Sequence, residues 1–223
     1  MSFPLQCIIA RNSYGLYCIP TRSQQRPASV EAINGRVWEP DTLSLICRSA
    51  GTGDVIHAGT FYGDSLPAIS RALAPSAKLW AFEPNSENFQ AAAITCRLND
   101  LKNVELNPCG LSDRTERRVL KIGENGTWFG ALSHLLARES TPGEATEEIM
   151  VAPIARLIPS HRPVSVLHLD IEGHERAALA GSYRLILRWR PLLILETVPE
   201  DWIQQNLASL TIGWSANVIA IRF

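Results

Sequence analysis

The 223-residue chain has 21 basic and 22 acidic residues, a formal net charge of −1 that speaks against a nucleic-acid or membrane-surface partner, and its length suits one domain with a sizeable core. No stretch reaches the roughly 18 uncharged apolar residues of a membrane span, and "MSFPLQCIIARN" lacks the basic segment that opens a signal peptide. Five cysteines without a C-x-x-C pair argue against a disulfide framework or structural zinc, and for reduced thiols in a cytoplasmic protein.

Residues 1–40 read as an N-terminal extension that packs on the core, followed by a main domain over 41–223. In the extension, "CIIARNSYGLYCIP" predicts two short strands around a turn at Asn12–Gly15, and "TRSQQRPASV" predicts a polar loop. "EPDTLSLICRSA" offers Asp41 or Thr42 as the cap of a short helix. From Gly53 onward strand and helix alternate. "DVIHAG" is a short buried strand. "DSLPAISRALA" is a helix with Asp64 or Ser65 as cap and Pro67 in its first turn. "KLWAFEP" is the second strand, "NSENFQAAAITCRLND" a helix opened by Asn85 or Ser86, and "NVELNPCGL" the third strand. Residues 113–148 read as polar and irregular. "VSVLHLDIEG" is a strand, "HERAALAGSYRLIL" a helix and "RPLLILETV" a strand, and the tail adds one more helix and a closing strand.

This alternation predicts an α/β fold with a largely parallel sheet, in which ligands bind beyond the carboxyl ends of the strands. Gly59 ends the first core strand and Gly63 opens the next helix. Glycines there let the backbone turn sharply and approach a ligand closely. Their G-x-x-x-G spacing is neither the dinucleotide fingerprint nor a P-loop, which disfavours a phosphate ligand. Glu83 ends the second strand, where an acid can accept hydrogen bonds from both ribose hydroxyls. The glycine turn and the acid together describe a nucleoside site; each is also common as a plain turn or surface acid.

Five segments in order, "GDVIHAGTFYGD", "AFEPNSENF", "NVELNPCGLSD", "LHLDIEGHERAALAG" and "RPLLILE", resemble the FkbM family of S-adenosylmethionine-dependent methyltransferases. "LDIEGHE" is the most diagnostic, since the family shows K-x-D-x-E-G-x-E there. The resemblance implies a class I methyltransferase (Rossmann-like) fold, with a mostly parallel seven-stranded sheet and helices on both faces. It implies S-adenosyl-L-methionine as cofactor. Gly59, Thr60, Phe61, Gly63 and Asp64 would surround its methionine part, Glu83 its ribose with Pro84 and Asn85 alongside, and Gly110 and Leu111 its adenine. Asp170 would lie near the amino group and the reactive methyl. Two positions depart from the pattern: His57 stands where such proteins carry an acid, and His168 where they carry lysine.

The candidates for the proton-accepting role are Asp170, Glu172 and His174, on one strand end and the start of the following helix. A helix-capping role is the competing reading for the acids, and it is favoured for Glu175. His134 and the aromatics of "WFGAL" and Trp38 are either walls of an acceptor pocket or ordinary packing. Asp170, Glu172 and Glu196 could ligate magnesium, but the later acidic pair of metal-using relatives of this fold is not found, so no metal is expected. The expected activity is O-methylation of a hydroxyl on a small molecule such as a sugar or natural-product intermediate. N- or protein methylation, or a catalytically silent binding module, are the alternatives. No nucleic-acid or membrane partner is expected, and a homodimer stays open.

Overall fold

The computed structural model describes residues 5–137, 140–207, 211–215 and 218–222. The chain opens with an antiparallel hairpin of β1 (Cys7–Asn12) and β2 (Gly15–Pro20). The polar segment after it is not all loop: Pro27 sets the first turn of helix α1 (Pro27–Ile33), since a proline lacks only an N–H that the first helical turn would leave unpaired. Helix α2 (Pro40–Ser49) likewise starts on a proline. Its cap is Glu39, in a left-handed conformation and without a side-chain capping bond, so neither Asp41 nor Thr42 serves as the cap.

The alternating core follows: β3 (Asp54–Ala58), α3 (Leu66–Ala72), β4 (Leu79–Phe82), α4 (Ser86–Leu98) and β5 (Val104–Asn107). The expected third strand breaks at Pro108. Its second half, β6 (Gly110–Leu111), leaves the main sheet and pairs with a separate one. That second sheet also contains β7 (Glu116–Glu124), β8 (Thr127–Trp128), β9 (His134–Leu135) and β10 (Glu144–Ala152), with the order β6-β10-β7-β8 and β9 on β7. About half of residues 113–148 therefore lie in strands, where the sequence reads as irregular. The chain then returns to the main sheet with β11 (Val164–Leu169), α5 (Glu175–Trp189), β12 (Leu192–Leu195), α6 (Glu200–Asn206), β13 (Thr211–Ser215) and β14 (Val218–Arg222).

In the main sheet β5, β4, β3, β11 and β12 run parallel, and β14 and β13 continue the order antiparallel at the far edge. Alternate residues of each parallel strand enter different apolar layers. Ile56, Phe82, Leu167 and Leu193 pack among Leu179, Ile186 and Trp202, from α5 and α6. Val55, Leu79, Val166 and Ile194 pack among Leu43, Ile46, Ile69 and Ala92, from α2, α3 and α4. His57 and His168 occupy the rows of Val55 and Val166, so both imidazoles lie within the second layer. The strand order reverses between β3 and β11, which opens the crevice beyond their carboxyl ends.

At the opposite end of β3 sits a buried ion pair. Arg162 grips Asp54 through Nε at 2.5 Å and a terminal nitrogen at 2.7 Å, while Trp80 Nε1 and Lys78 N also donate to the carboxylate. Burial pushes the Asp54 pKa up, but these four donors outweigh it and hold it below the usual value. Arg162→Ala would leave a buried carboxylate without its cation, so urea unfolding should show a loss of about 3–5 kcal/mol. A loss below about 1 kcal/mol, as for a surface pair, would contradict this role.

Candidate active site

The turn after β3 needs its glycine. Gly59 has φ 88°, and a Cβ there would fall 1.8 Å from the Asp170 carbonyl oxygen. This contact holds the loops after β3 and β11 together, as does the Asp170 N–H donated to Ala58 O at 3.1 Å. Phe61 is left-handed at φ 52°, a conformation costly for an aromatic residue. Its N–H donates to Glu83 Oε2 at 2.7 Å, and Asn85 N donates to Glu83 Oε1 at 2.9 Å. The buried Glu83 carboxyl thus joins the glycine turn to the start of α4. Burial raises its pKa to about 7, against the lowering effect of the Asn85 and Phe61 N–H groups and the Asn88 side chain. Asn85 caps α4, its Oδ1 accepting from the N–H groups of Glu87 and Asn88 at 3.0 Å each.

Beyond these loops lie two adjoining cavities. The first encloses about 560 Å³ of empty space, its open mouth included. Gly59, Glu83, Pro84, Gly110, Leu111, Asp170, Glu172 and His174 border it, so eight of the residues singled out in the sequence converge there. The second, of about 530 Å³, is bordered by Phe61 and Asp64 and shares Gly59, Ala131 and Asp170 with the first. Thr60, Gly63 and Asn85 border neither cavity. They act from behind: Thr60 Oγ1 donates to His57 O at 3.3 Å, and Gly63 N to Thr60 O at 2.8 Å.

One wall of the first cavity comes from the second sheet, through Leu120, Ile149 and the segment Gly130–Leu135. Asn88 Nδ2 and Ser133 Oγ both donate to Gly130 O, at 3.2 and 2.8 Å, and fix this segment over α4. His134 borders the cavity and stacks on Phe129. Of "WFGAL", Gly130 and Ala131 reach the cavity, whereas Trp128 lies under the Arg22 guanidinium. Trp38 borders the second cavity. These residues lie far along the chain from the glycine turn, and nothing in their local pattern announces that they meet it.

Asp170, Glu172 and Glu196 bring carboxylate oxygens within 4.8 Å of one another. Burial pushes the Asp170 pKa well above the carboxylate range, and the adjacent Glu196 adds to this by its charge and a hydrogen bond. Burial and Glu196 push Glu172 up to about 7. Such a group can share protons, and its oxygens are also close enough to share a cation. His174 Nε2 is 3.1 Å from Ser112 Oγ, and burial lowers its pKa. Glu175 accepts from Ile171 N at 3.2 Å, a local helix-start contact.

A family model for the methyltransferase FkbM domain matches residues 57–208. The chain belongs to the FkbM methyltransferase family. The match is to a methyltransferase domain, and the cofactor it implies is S-adenosylmethionine. Among solved structures it is similar to methyltransferase FkbM from Methylobacillus flagellatus KT, at 19% identity and a TM-score of 0.56. That match covers 77% of this chain and 44% of the other, so the chain spans less than half of that protein's length. A putative rRNA-methylase from Clostridium thermocellum matches at 8% identity and a TM-score of 0.50, over 82% of this chain and 93% of the other. Likeness at these identities concerns the fold. No curated protein matches the chain.

The residues present fit the FkbM cofactor. Gly59 borders the cavity without a side chain, and the buried Glu83 carboxyl borders it together with Asp170 and Glu172 among mostly apolar walls. A carboxylate has about four acceptor sites. Phe61, Asn85 and Asn88 occupy three at Glu83, which leaves about one for a ribose hydroxyl rather than the two expected from the sequence. No helix among the described residues is long and apolar enough to cross a membrane.

The buried histidines His57 and His168 give a pH prediction. Burial lowers the His57 pKa to about 4, and lowers that of His168 well below its ordinary value. An unfolded chain takes up these protons near pH 6.5 while the folded one refuses them, so stability falls as pH drops from about 6.5 toward 4. Each histidine contributes up to about 1.4 kcal/mol per pH unit. Glu83 and Glu172, with raised values, act in the opposite sense, so the difference from a His57→Gln/His168→Gln variant isolates the effect. Urea unfolding at pH 7, 6 and 5 should show wild type losing stability relative to that variant. A constant difference would contradict the neutral pair.

Proposed function

We propose that this FkbM-family protein transfers a methyl group from S-adenosylmethionine to a hydroxyl of a small molecule, such as a sugar or natural-product intermediate. One observation carries this reading: Gly59, Glu83 and Asp170, from the ends of three neighbouring strands, border one cavity with a carboxyl cluster at its edge. Glu83, Pro84, Gly110 and Leu111 would hold the nucleoside, and Gly59, Phe61 and Asp64 would flank the methionine end, with Thr60, Gly63 and Asn85 keeping turn and helix in shape.

The cofactor supplies an electrophilic methyl on a sulfonium. The chain's own tasks are to align the acceptor, exclude water and receive the hydroxyl proton. Asp170 and Glu172 suit the last task, because a base works best with a pKa near the working pH. Burial and the neighbouring Glu196 raise both carboxyls, Glu172 to about 7. His174 would complete the polar edge beside them. The near-zero net charge supports a small-molecule acceptor over a nucleic acid, and five free thiols support a cytoplasmic setting.

Residues 1–40 would form an extension serving a methyltransferase domain over 41–223. Its hairpin docks on α4 through Cys18 N to Thr95 Oγ1 at 3.1 Å and Leu16 N to Asn99 Oδ1 at 3.0 Å.

Asp170→Asn should lower turnover of a hydroxyl acceptor by about 10²–10⁴-fold, the usual scale of general-base help. Its melting temperature should stay near wild type. Mass spectrometry of methylated product checks this, and a wild-type rate would overturn the role. Methylation confined to amine acceptors would overturn the O-methylation reading.

A further inference from the structure

Two buried histidines border the second cavity, and methyl transfer as derived above leaves them without a task. The parallel register sets His57 opposite His168. Their Nδ1 atoms are 2.7 Å apart, with ring planes within 10° of each other and centroids 4.8 Å apart, as for two rings edge to edge. His57 Nε2 lies 2.9 Å from Ser65 Oγ. His168 Nε2 is enclosed and has no hydrogen-bond partner among the described residues. Buried polar atoms are nearly always paired, so this nitrogen points to a group that the described residues do not supply.

The contacts couple the proton positions. Burial keeps both rings neutral, and a neutral imidazole has one donor and one acceptor nitrogen. When Ser65 donates to His57 Nε2, His57 donates through Nδ1 to His168, and the His168 proton stays on Nε2. The chain of contacts therefore presents an uncharged N–H. The same cavity is bordered by Glu39, Asp64 and Asp170, and by no lysine or arginine among the described residues. Its carboxylates suit an ammonium group. A ligand carboxylate finds no cation there and needs a neutral donor. Because the cavities share Gly59, Ala131 and Asp170, a ligand with a nucleoside end in the first can extend an amino-acid end into the second.

We propose, on the cofactor assignment given above, that His168 binds the α-carboxylate of the cofactor's amino-acid end through Nε2–H, with His57 and Ser65 as positioning residues that fix its tautomer. The pair thereby discriminates between nucleosides with and without that carboxylate.

Calorimetry with S-adenosylhomocysteine and its decarboxylated counterpart, which keeps the adenosine and the amine, tests this on the intact chain. His168→Phe should weaken S-adenosylhomocysteine binding about ten-fold, the scale of one charge-assisted hydrogen bond, and leave the decarboxylated ligand within about two-fold. Ser65→Ala leaves both strands untouched and should give the same selectivity at about three-fold, which keeps the test decisive should His168→Phe fail to fold. In ¹⁵N-histidine spectra of wild type, S-adenosylhomocysteine should shift the His168 signal toward the Nε2–H tautomer and the decarboxylated ligand should not. Equal losses for both ligands, or unchanged S-adenosylhomocysteine affinity in Ser65→Ala, would overturn the inference alone. Wild type binding neither ligand would overturn the cofactor site itself and the inference with it.

Discussion

The buried carboxyl of Glu83 is the constraint on which the crevice depends. It lies at the end of β4 with its oxygens on two backbone N–H groups, one in the turn after β3 and one at the start of α4. The first bond holds Phe61 in a left-handed conformation that an aromatic side chain resists. That conformation lets the chain leave Gly59, where backbone presses against backbone at Asp170, and reach α3 within a few residues. An acid with a pKa near 7 is costly to bury ionised, so its donors must stay in place. A ligand hydroxyl then completes a set that the fold has already arranged.

The alternating core and the glycine turn were legible in the sequence because their signals are local. Asn85 sits where a capping asparagine must sit, and Gly59 and Glu83 end apolar runs too short to be anything but buried strands. The second sheet was not legible. Its long strands, "ERRVLKIGE" and "EATEEIMVA", are rich in charge, and charge in succession reads as loop. Helix α1 hid behind a proline that looked like a loop marker and is a helix starter. The wall formed by Gly130, Ser133 and His134 depends on Asn88 more than forty residues earlier, and no local spacing encodes that reach.

The histidines make the same point from the opposite side. His57 and His168 were visible as departures from the family pattern, but their relation was not. It exists only in the register of β3 on β11, which sets two neutral rings edge to edge. Two changes that look damaging one at a time are compatible together, since each ring satisfies one nitrogen of the other. The carboxyl cluster at Asp170, Glu172 and Glu196 shows the converse. Asp170 and Glu172 look like helix-start residues in the sequence, and only the adjacency of β11 and β12 brings Glu196 against Asp170 to raise the pKa values of both.

The most direct test of the crevice is calorimetric titration of Glu83→Ala with S-adenosylhomocysteine at neutral pH. Losing the carboxyl removes a ribose acceptor and frees the Phe61 turn, so binding should weaken by about 1–3 kcal/mol relative to wild type. Unchanged affinity in a folded Glu83→Ala protein would contradict a nucleoside site organised by this carboxyl.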